Sequence, residues 1–465
     1  MRPLLDLPNE LLHHIAGYLA PESDINLLAR TNRDLHSTIN PFVYRFNALH
    51  GQMSALLWAA EHGMVETAQH SLDASFGVSN NRKLEIFYDA LSIAVQAGHT
   101  SIAKSLLLQE GIDPNFQYQS KDAGSWATLL ARASREGHVD MVALLLSTKG
   151  INPNLGDSMG RPPIAWAGMW SQDTVIQQLL ATPGVDPNFT DHDGRTPLSW
   201  TVSYGSTAAV SQFLSRQDVD VNIATATEDT KYIIQKGWTA LMYAASRGFA
   251  EKVELLLKTP YINVNHQATY GTTALHVAAT HGFEAVVQLL LAKGAYPDPK
   301  TGSGATPLYQ AASYGYLPII ELLYKVGADP DPVLEYGSTA ISAASSSGYT
   351  DIVRFLLETG KARLPSQEDE DKRNALSWAA ERGYGEIVSL LLQCGQESNA
   401  KDYKGRTPLS YAIQYGHVEI VKMLLLNSSS IDPMEVDADG ETLRSRAIEH
   451  DDPEMMNLLA SIKDT

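Results

Sequence analysis

Few residues in this 465-residue chain stand in a pattern that could support catalysis. Ser101 and Lys104 have the spacing of a serine nucleophile and its lysine base, but they fall in a helical segment whose polar side chains should face solvent. Cys394 follows a run of leucines, and we interpret it as a small buried hydrophobic residue. The chain has no phosphate-binding glycine loop, no His-Glu-x-x-His pair and no Gly-x-Ser-x-Gly turn. The sequence therefore predicts no catalytic residue, no metal site and no cofactor.

Binding to another protein is the chemistry that the sequence does support. One recurring position carries a large aromatic or basic side chain in seven places: Trp170, Tyr204, Arg247, His281, Tyr314, Arg382 and Tyr415. Aromatic rings and arginine dominate the energetics of protein interfaces, because they bury a large area at a low cost in conformational entropy. Their residue types make these seven side chains candidates for contact with a partner.

A second recurring position also carries rings, at Trp58, Trp166, Trp200, Tyr243, Trp378 and Tyr411. Rings at a helix position that faces a neighbouring helix belong more often to the core than to a recognition surface. We interpret this second column as partly buried packing.

Residues 271–295 show the element that positions both columns. Thr273 can cap a short helix with its hydroxyl, and Gly282 can end that helix because glycine adopts positive φ at little cost. Apolar residues at helical spacing in 286–291 predict a second helix, which Gly294 closes. The stretch predicts one complete helix–turn–helix unit.

The position of Gly282 recurs at a nearly constant interval along the chain. It is occupied by Gly63, Gly98, Gly137, Ser171, Gly205, Gly248, Gly282, Gly315, Gly348, Gly383, Gly416 and Asp451. Subtraction of successive positions gives intervals of 33 to 43 residues. Such a period indicates a repeat array in which each unit packs only on its neighbours. We count twelve units in residues 51–465, the last a degenerate cap whose Arg444 and Arg446 suggest a polar outer face.

The unit resembles an ankyrin repeat, because residues 273–282 read TALHVAATHG and residues 286–295 read VVQLLLAKGA. The resemblance implies an all-α fold, an ankyrin-repeat α-solenoid of about twelve units with short hairpin loops. It also implies that partners lie on a concave face, formed by hairpin tips and the ends of the first helices. The seven residues of the first column would lie there. Tyr270, Tyr336 and Tyr403 on the hairpins are further candidates, the alternative being ordinary turn aromatics.

Only His276 keeps the histidine of the ankyrin motif. Serine stands in its place in five other units, at Ser92, Ser199, Ser342, Ser377 and Ser410. We therefore predict that serine hydroxyls weaken or replace the usual threonine–histidine hydrogen bonds.

Several units depart from the regular pattern. Longer intervals predict insertions that project as loops at residues 116–124 and 223–236. The fourth unit is predicted to be the least stable, because Gly168 lies within its first helix and Ser171 replaces its glycine. The acidic turn at 366–373 is interpreted as a solvated hairpin tip, the alternative being a docking site for a basic segment.

Residues 1–47 do not follow the repeat. Residues 4–45 read LLDLPNELLHHIAGYLAPESDINLLARTNRDLHSTINPFVYR and resemble an F-box in their Leu-Pro pair and their E-L-L-x-x-I spacing. The resemblance implies docking onto the Skp-type adaptor of a Skp–cullin–F-box ubiquitin ligase, through Leu7, Pro8, Leu11, Leu12, Ile15 and Leu28. The chain would then be a substrate-recognition subunit that captures a protein on its repeats. The alternative is an ankyrin scaffold with no ligase role, whose N-terminal helices only cap the array.

Composition restricts the kinds of partner. With 35 Lys and Arg against 53 Asp and Glu, the net charge is −18, which argues against nucleic acid and anionic membranes and favours protein partners. A single cysteine allows no intramolecular disulfide. The longest apolar runs are far shorter than the ~20 residues of a membrane span, and the N-terminus lacks a signal-peptide core. We expect a cytoplasmic or nuclear protein that is monomeric outside its complexes.

Overall fold

The structure is a computed structural model, and it describes residues 44–45, 47–48, 53–75, 80–119, 126–226, 236–335, 337–362, 364, 369–428, 432, 434–449 and 452–460. Internal contacts divide the chain into two compact units, Met1–Thr230 and Lys231–Thr465. The F-box-like residues Leu7, Pro8, Leu11, Leu12, Ile15 and Leu28, together with Tyr336, lie outside the described residues.

The first unit contains five helix pairs among its described residues. They are α1 Ser54–His62 with α2 Val65–Asp73, α3 Asn80–Ala97 with α4 Thr100–Leu107, α5 Leu129–Glu136 with α6 Val139–Ser147, α7 Pro163–Met169 with α8 Asp173–Ala181, and α9 Pro197–Tyr204 with α10 Thr207–Leu214. Each first helix packs on the first helix of the next pair, and each second helix packs on the next second helix. The pairs therefore stack in sequence order.

The second unit contains seven pairs among its described residues. They are α11 Ala240–Ser246 with α12 Ala250–Lys258, α13 Ala274–Thr280 with α14 Glu284–Ala292, α15 Pro307–Tyr314 with α16 Leu317–Lys325, α17 Ala340–Ser347 with α18 Thr350–Glu358, α19 Ala375–Arg382 with α20 Gly385–Gln393, α21 Pro408–Gln414 with α22 Val418–Asn427, and α23 Leu443–Glu449 with α24 Pro453–Ala460. The first helices again contact one another in order. The twelve predicted helix pairs are confirmed.

Threonine side chains start many of the first helices, as the sequence predicts. The hydroxyl oxygen of Thr273 accepts a hydrogen bond from the backbone N–H of His276, and the imidazole of His276 accepts one from the backbone N–H of Thr273. In α17 and α21 a serine replaces this histidine. The hydroxyls of Ser342 and Ser410 accept hydrogen bonds from the backbone N–H groups of Thr339 and Thr407, at 2.9 and 3.1 Å. The predicted serine replacement is confirmed at these two helices.

Close packing across the repeat boundary requires glycine at several helix ends. Gly282 has a φ of 76°, and a Cβ built on it would lie 2.4 Å from a ring carbon of Tyr316 in the next repeat. At Gly383 the neighbouring ring is that of His417, whose Nε2 donates a hydrogen bond of 2.9 Å to the carbonyl oxygen of Glu381. The glycines therefore end the helix and also leave room for the next repeat.

Asparagine side chains join neighbouring repeats in the loop after the second helix. The Nδ2 of Asn154 donates to the carbonyl oxygen of Gly184 at 2.7 Å, and its Oδ1 accepts from the backbone N–H of Asp186 at 2.8 Å. Asn115 and Asn188 make the same pair of hydrogen bonds with their next repeats. We call this arrangement the asparagine clasp, and it satisfies backbone groups that irregular chain would otherwise leave unpaired.

In the second unit, Asn265 makes a clasp of the same kind, and the next repeat boundary has an altered clasp. The side chain of Asn265 bonds the carbonyl oxygen of Gly294 and the backbone N–H of Tyr296. At the next boundary an aspartate takes this place, and Asp298 Oδ2 accepts from the backbone N–H of Asp329 at 3.0 Å. Its buried Oδ1 has no hydrogen-bond partner among the described residues. Burial, followed by the charge of Asp329, raises the pKa of Asp298.

The chain between α4 and α5 is not the simple loop that the sequence predicts. Strand β1 Gln117–Gln119 pairs antiparallel with strand β2 Trp126–Thr128, with Tyr118 opposite Ala127. The carbonyl oxygen of Trp126 then accepts a hydrogen bond of 2.9 Å from the backbone N–H of Ser158 in the following loop. We call the hairpin loops that precede the first helices the fingers, and the two paired strands belong to one finger. Of residues 223–236 the structure describes only 223–226 and 236.

The fourth repeat owes its unusual glycine to a close contact between helices. A Cβ on Gly168 would lie 1.9 Å from the hydroxyl oxygen of Thr201 in α9. Ser171, in place of the usual glycine, has a φ of 56°. Residues other than glycine adopt this left-handed backbone conformation only with strain. Helix packing therefore requires Gly168, whereas Ser171 introduces strain.

Among the residues described, no helix has the length and apolar character that crossing a membrane would require.

Candidate protein-binding surface

The residues predicted to bind a partner line one surface of each unit. This surface, which we call the finger face, consists of the fingertips and the last turns of the first helices. All seven residues of the first column are exposed on it: Trp170, Tyr204, Arg247, His281, Tyr314, Arg382 and Tyr415. The ring of Trp170 is 52% exposed and that of Tyr204 is 52% exposed, which leaves about half of each ring accessible to a partner.

Two of the three finger tyrosines are described, and both are exposed. Tyr270 and Tyr403 lie at fingertips, where backbone hydrogen bonds join neighbouring fingers. The carbonyl oxygen of Tyr270 accepts from the N–H of Gly302 at 2.8 Å, and the N–H of Tyr403 donates to the carbonyl oxygen of Asp371 at 3.0 Å. Their rings are therefore carried on fixed backbone.

The second column of rings lies behind the finger face and is mostly buried or partly buried. Trp166, Tyr243 and Tyr411 are buried, and Trp200 and Trp378 are partly buried, as predicted for packing residues. Trp58 is the exception. Its ring is about half exposed and stacks on His62, with 4.6 Å between ring centroids.

A carboxylate binds the polar atom of four of these rings, which we did not predict. Each carboxylate belongs to an aspartate nine residues before the ring, at the start of a finger. The donor–acceptor distances are 3.2 Å for Trp166 to Asp157, 2.7 Å for Trp200 to Asp191, 2.9 Å for Trp378 to Asp369 and 2.7 Å for Tyr411 to Asp402. The recurrence of Asp at this spacing is a sequence signal that could have revealed the pairs. The bond holds each finger against its own first helix.

Arginine side chains cover the faces of the same rings. The guanidinium carbon lies 4.4 Å from the ring centroid for Arg161 on Trp166, 3.6 Å for Arg195 on Trp200, 3.6 Å for Arg373 on Trp378 and 4.8 Å for Arg406 on Tyr411. Each of these arginines follows the paired aspartate by four residues. Cation–π attraction and packing of the planar guanidinium then fix the ring orientation.

Asp402 is a strongly stabilised carboxylate in the second unit. Its Oδ2 accepts hydrogen bonds from the hydroxyl of Tyr411 and from Nε of Arg406, at 2.7 and 2.9 Å. Burial acts to raise the pKa of Asp402, but these hydrogen bonds outweigh it and the pKa lies below its ordinary value. Burial, with the bond to Asp402, in turn raises the pKa of Tyr411.

Asp191 has the opposite balance in the first unit. Arg195 directs Nη2 to the hydroxyl oxygen of Ser203 at 2.8 Å, while its backbone N–H donates to Asp191. Burial raises the pKa of Asp191 and outweighs the hydrogen bonds from Arg195 and Trp200. The two carboxylates therefore share a position but respond differently to pH.

Three interpretations of the sequence are wrong in the structure. Cys394 is exposed, because it directly follows the last residue of α20 and leaves the packed face of the helix. Asp369 and Arg373 in the acidic turn are not merely solvated, since both bind Trp378. Arg446 in the last repeat is buried and bonds Asp437, so it does not contribute to a polar outer face.

The described part of the chain shows no clustered groups for metal chemistry. No group of three or more His, Cys, Asp or Glu side chains there could hold a metal ion. Ser101 and Lys104 are both exposed on α4. The exposed aromatic and arginine side chains of the finger face are therefore the most distinctive chemistry in the described residues.

Comparison with known proteins identifies the family. The family model for ankyrin repeats, in a three-copy form, matches residues 56–157, 91–188, 164–268, 222–301, 261–333, 287–368, 308–402, 362–437 and 396–464. The overlapping matches extend from 56 to 464, and the chain belongs to the ankyrin-repeat family. Ankyrin repeats form scaffolds that bind protein partners and are typically not enzymes. A comparison with curated proteins finds no match.

Proposed function

We propose that this chain is a substrate-recognition subunit of a Skp–cullin–F-box ubiquitin ligase. Residues 1–47 form the adaptor-docking domain and residues 51–465 the ankyrin domain that holds the substrate protein. The observation that supports capture is the display of a large exposed side chain at the same position of seven repeats, among them Trp170 in the first unit and Tyr415 in the second. The support for adaptor docking is the F-box-like pattern of residues 4–45.

The two domains would act by bringing reactants together. A substrate bound on the finger face would present its lysines at a high effective concentration to the conjugating enzyme of the assembled ligase. Under this proposal the chain itself makes and breaks no bond. Its specificity resides in side chains such as Tyr314 and Arg382, which are exposed in the eighth and tenth repeats of the second unit.

Adaptor docking can be tested with the purified full-length chain and a Skp-type adaptor. The double substitution Leu7→Ala and Pro8→Ala should abolish adaptor binding in a pulldown. The substitution Leu426→Ala, at a leucine that is 85% exposed on α22, serves as the control and should bind like the wild type. Binding that the double substitution leaves unchanged, or no binding by the wild type, would favour the ankyrin scaffold without a ligase role.

Substrate capture can be tested separately on the finger face. A variant that carries Trp170→Ala, Tyr204→Ala, Tyr314→Ala and Tyr415→Ala should lose co-purifying proteins while it retains the adaptor. The control replaces Tyr261 and Tyr296, which are exposed in loops after second helices, with alanine. If both variants co-purify the same proteins as the wild type, the finger face is not the capture surface.

A further inference from the structure

Arginine side chains connect the rings of the fourth and fifth repeats in the first unit. The guanidinium carbon of Arg135 lies 4.7 Å from the ring centroid of Trp170 and 5.8 Å from that of Trp166. Arg161 joins Trp166 to the next repeat, since it lies 5.8 Å from the ring centroid of Trp200. We call Trp166, Trp170, Trp200 and Tyr204 the aromatic strip.

The two exposed rings of the strip are held in place before any partner binds. Arg135 covers one face of Trp170, and the carbonyl oxygen of Arg135 accepts a hydrogen bond of 2.9 Å from Gln172. Tyr204 stacks on Trp200, with 5.8 Å between ring centroids. Preorganised rings lose little conformational entropy on binding, so the area that they bury contributes more fully to affinity.

Asp157, the carboxylate that binds the ring nitrogen of Trp166, is fully engaged within the chain. Asp157 Oδ1 accepts from the backbone N–H groups of Met159 and Arg161, and its Oδ2 accepts from Arg161 and Trp166. Arg135 itself has the carboxylate of Glu136 at 3.8 Å. The same carboxylate lies 3.1 Å from Arg132, so two arginines share it, and this charge pattern disfavours a basic partner segment despite the net charge of −18.

We propose that the aromatic strip binds a proline-rich segment of a partner protein in the extended polyproline II conformation. This proposal rests on the proposed capture of a protein by the finger face and names the chemistry of that protein. One polyproline II turn is three residues and about 9 Å long. Packed helices of neighbouring repeats are about 8–10 Å apart. A spacing of three residues between prolines therefore matches the spacing of the neighbouring repeats that carry Trp170 and Tyr204.

The hydrogen-bonding capacity of the strip also favours this conformation over a helix. A polyproline II segment leaves its carbonyl oxygens free, whereas a helix uses almost all of them internally. Within the described residues, the indole nitrogen of Trp170 has no hydrogen-bond acceptor, and its ring is half exposed. This N–H can donate to a carbonyl oxygen of the bound segment, as in other aromatic surfaces that recognise proline-rich chains.

The proposal can be tested by fluorescence anisotropy with the full-length protein. The probe is a labelled polyproline peptide of about ten residues. Uncharged peptides of equal length serve as comparisons, one of glycine and serine and one that forms an amphipathic helix. The wild type should bind polyproline and not the glycine–serine peptide. Trp170→Ala should weaken binding by about tenfold or more, as expected for loss of a buried aromatic anchor.

Two further variants separate recognition from folding. Trp170→Phe keeps a ring for stacking but removes the N–H, so it should weaken binding less than Trp170→Ala and should fold normally. Tyr296→Ala removes an exposed ring in a loop after a second helix, outside the finger face, and should leave polyproline binding unchanged.

Three results would overturn the proposal. The first is that folded wild type binds no polyproline, and the second is that Trp170→Phe and Trp170→Ala bind it as the wild type does. The third is that the helical peptide alone binds the strip. Each result leaves the adaptor pulldown unaffected, so failure of this inference is distinguishable from failure of the proposed ligase role.

Discussion

The indole nitrogen of Trp200 donates a hydrogen bond of 2.7 Å to Oδ2 of Asp191, a buried carboxylate at the start of the preceding finger. Asp191 Oδ1 accepts from the backbone N–H groups of Asp193 and Arg195 within that finger. One side chain thereby fixes the shape of the finger and attaches it to α9. The arrangement predicts that stability and the geometry of the finger face depend on the same bond.

Trp200→Phe should therefore destabilise the protein. The variant keeps the ring but leaves a buried carboxylate oxygen without its partner, and bonds to charged groups contribute about 1.5–3 kcal/mol. The free energy of unfolding from urea titration should fall by that amount. Trp58→Phe is the matched control, because Trp58 occupies the same repeat position and is half exposed. An equal loss in both variants would show that the carboxylate bond is not the cause.

The stability that depends on Asp402 should be lost in acid. Its pKa is lowered by folding, so its contribution is present above the ordinary aspartate pKa of about 3.9 and disappears as the pH falls through the lower folded value. Asp402→Asn should be less stable than the wild type at neutral pH, and the difference should shrink as the pH falls. Urea titrations across the acidic range measure this difference.

Asp191 provides the opposite case in the first unit. Its pKa is raised by folding, so protonation stabilises the folded state and this gain is lost as the pH rises through the folded pKa. The stability of the wild type relative to Asp191→Asn should therefore increase towards acid pH. The stability differences between the wild type and the variants Asp402→Asn and Asp191→Asn should change with pH in opposite directions. A change in the same direction would contradict the opposite pKa shifts.

Relief of backbone strain in the fourth repeat should raise stability. Ser171 has a φ of 56°, and glycine adopts this region without the cost of about 1–2 kcal/mol that other residues incur. Ser171→Gly should raise the thermal midpoint. Gly168→Ala should lower it, although alanine is the better helix former, because the new Cβ would overlap the hydroxyl oxygen of Thr201. A stabilising Gly168→Ala would refute the packing argument.

Restoring the asparagine clasp at Asp298 should stabilise the second unit. Asp298→Asn supplies an N–H donor at the buried position where Oδ1 now lacks a partner among described residues, a gain of about 1 kcal/mol. This gain in stability over the wild type should diminish as the pH falls through the raised pKa of Asp298, since the protonated carboxyl group can itself donate a hydrogen bond. The reverse change, Asn188→Asp, should destabilise the first unit at neutral pH. The free energies of unfolding of both variants, measured by urea titration, test this prediction.

The repeat architecture is predictable from sequence because its signals are local. A capping threonine such as Thr273 and a positive-φ glycine such as Gly282 fix each first helix independently of distant residues. Exposure of the first column follows from its place at the end of these helices. The adaptor-docking residues 1–47 stay a prediction.

The errors arise where the outcome depends on contacts between elements. Whether Asp369 is solvated depends on how its finger folds back on Trp378, which helix periodicity does not specify. The pairing of Tyr118 with Ala127 depends on strand register within an insertion. Exposure of Cys394 depends on where α20 ends, because Cys394 directly follows the last residue of that helix.

Along the fingertips of the third to fifth repeats, one backbone hydrogen bond joins each finger to the next, as from the N–H of His192 to the carbonyl oxygen of Met159. Because contacts of this kind reach only the adjacent repeat, tension applied to the two ends of the unit would load one junction after another. The unit should therefore extend under force in successive steps, each about one repeat in size, and recoil in the same manner when the load is removed.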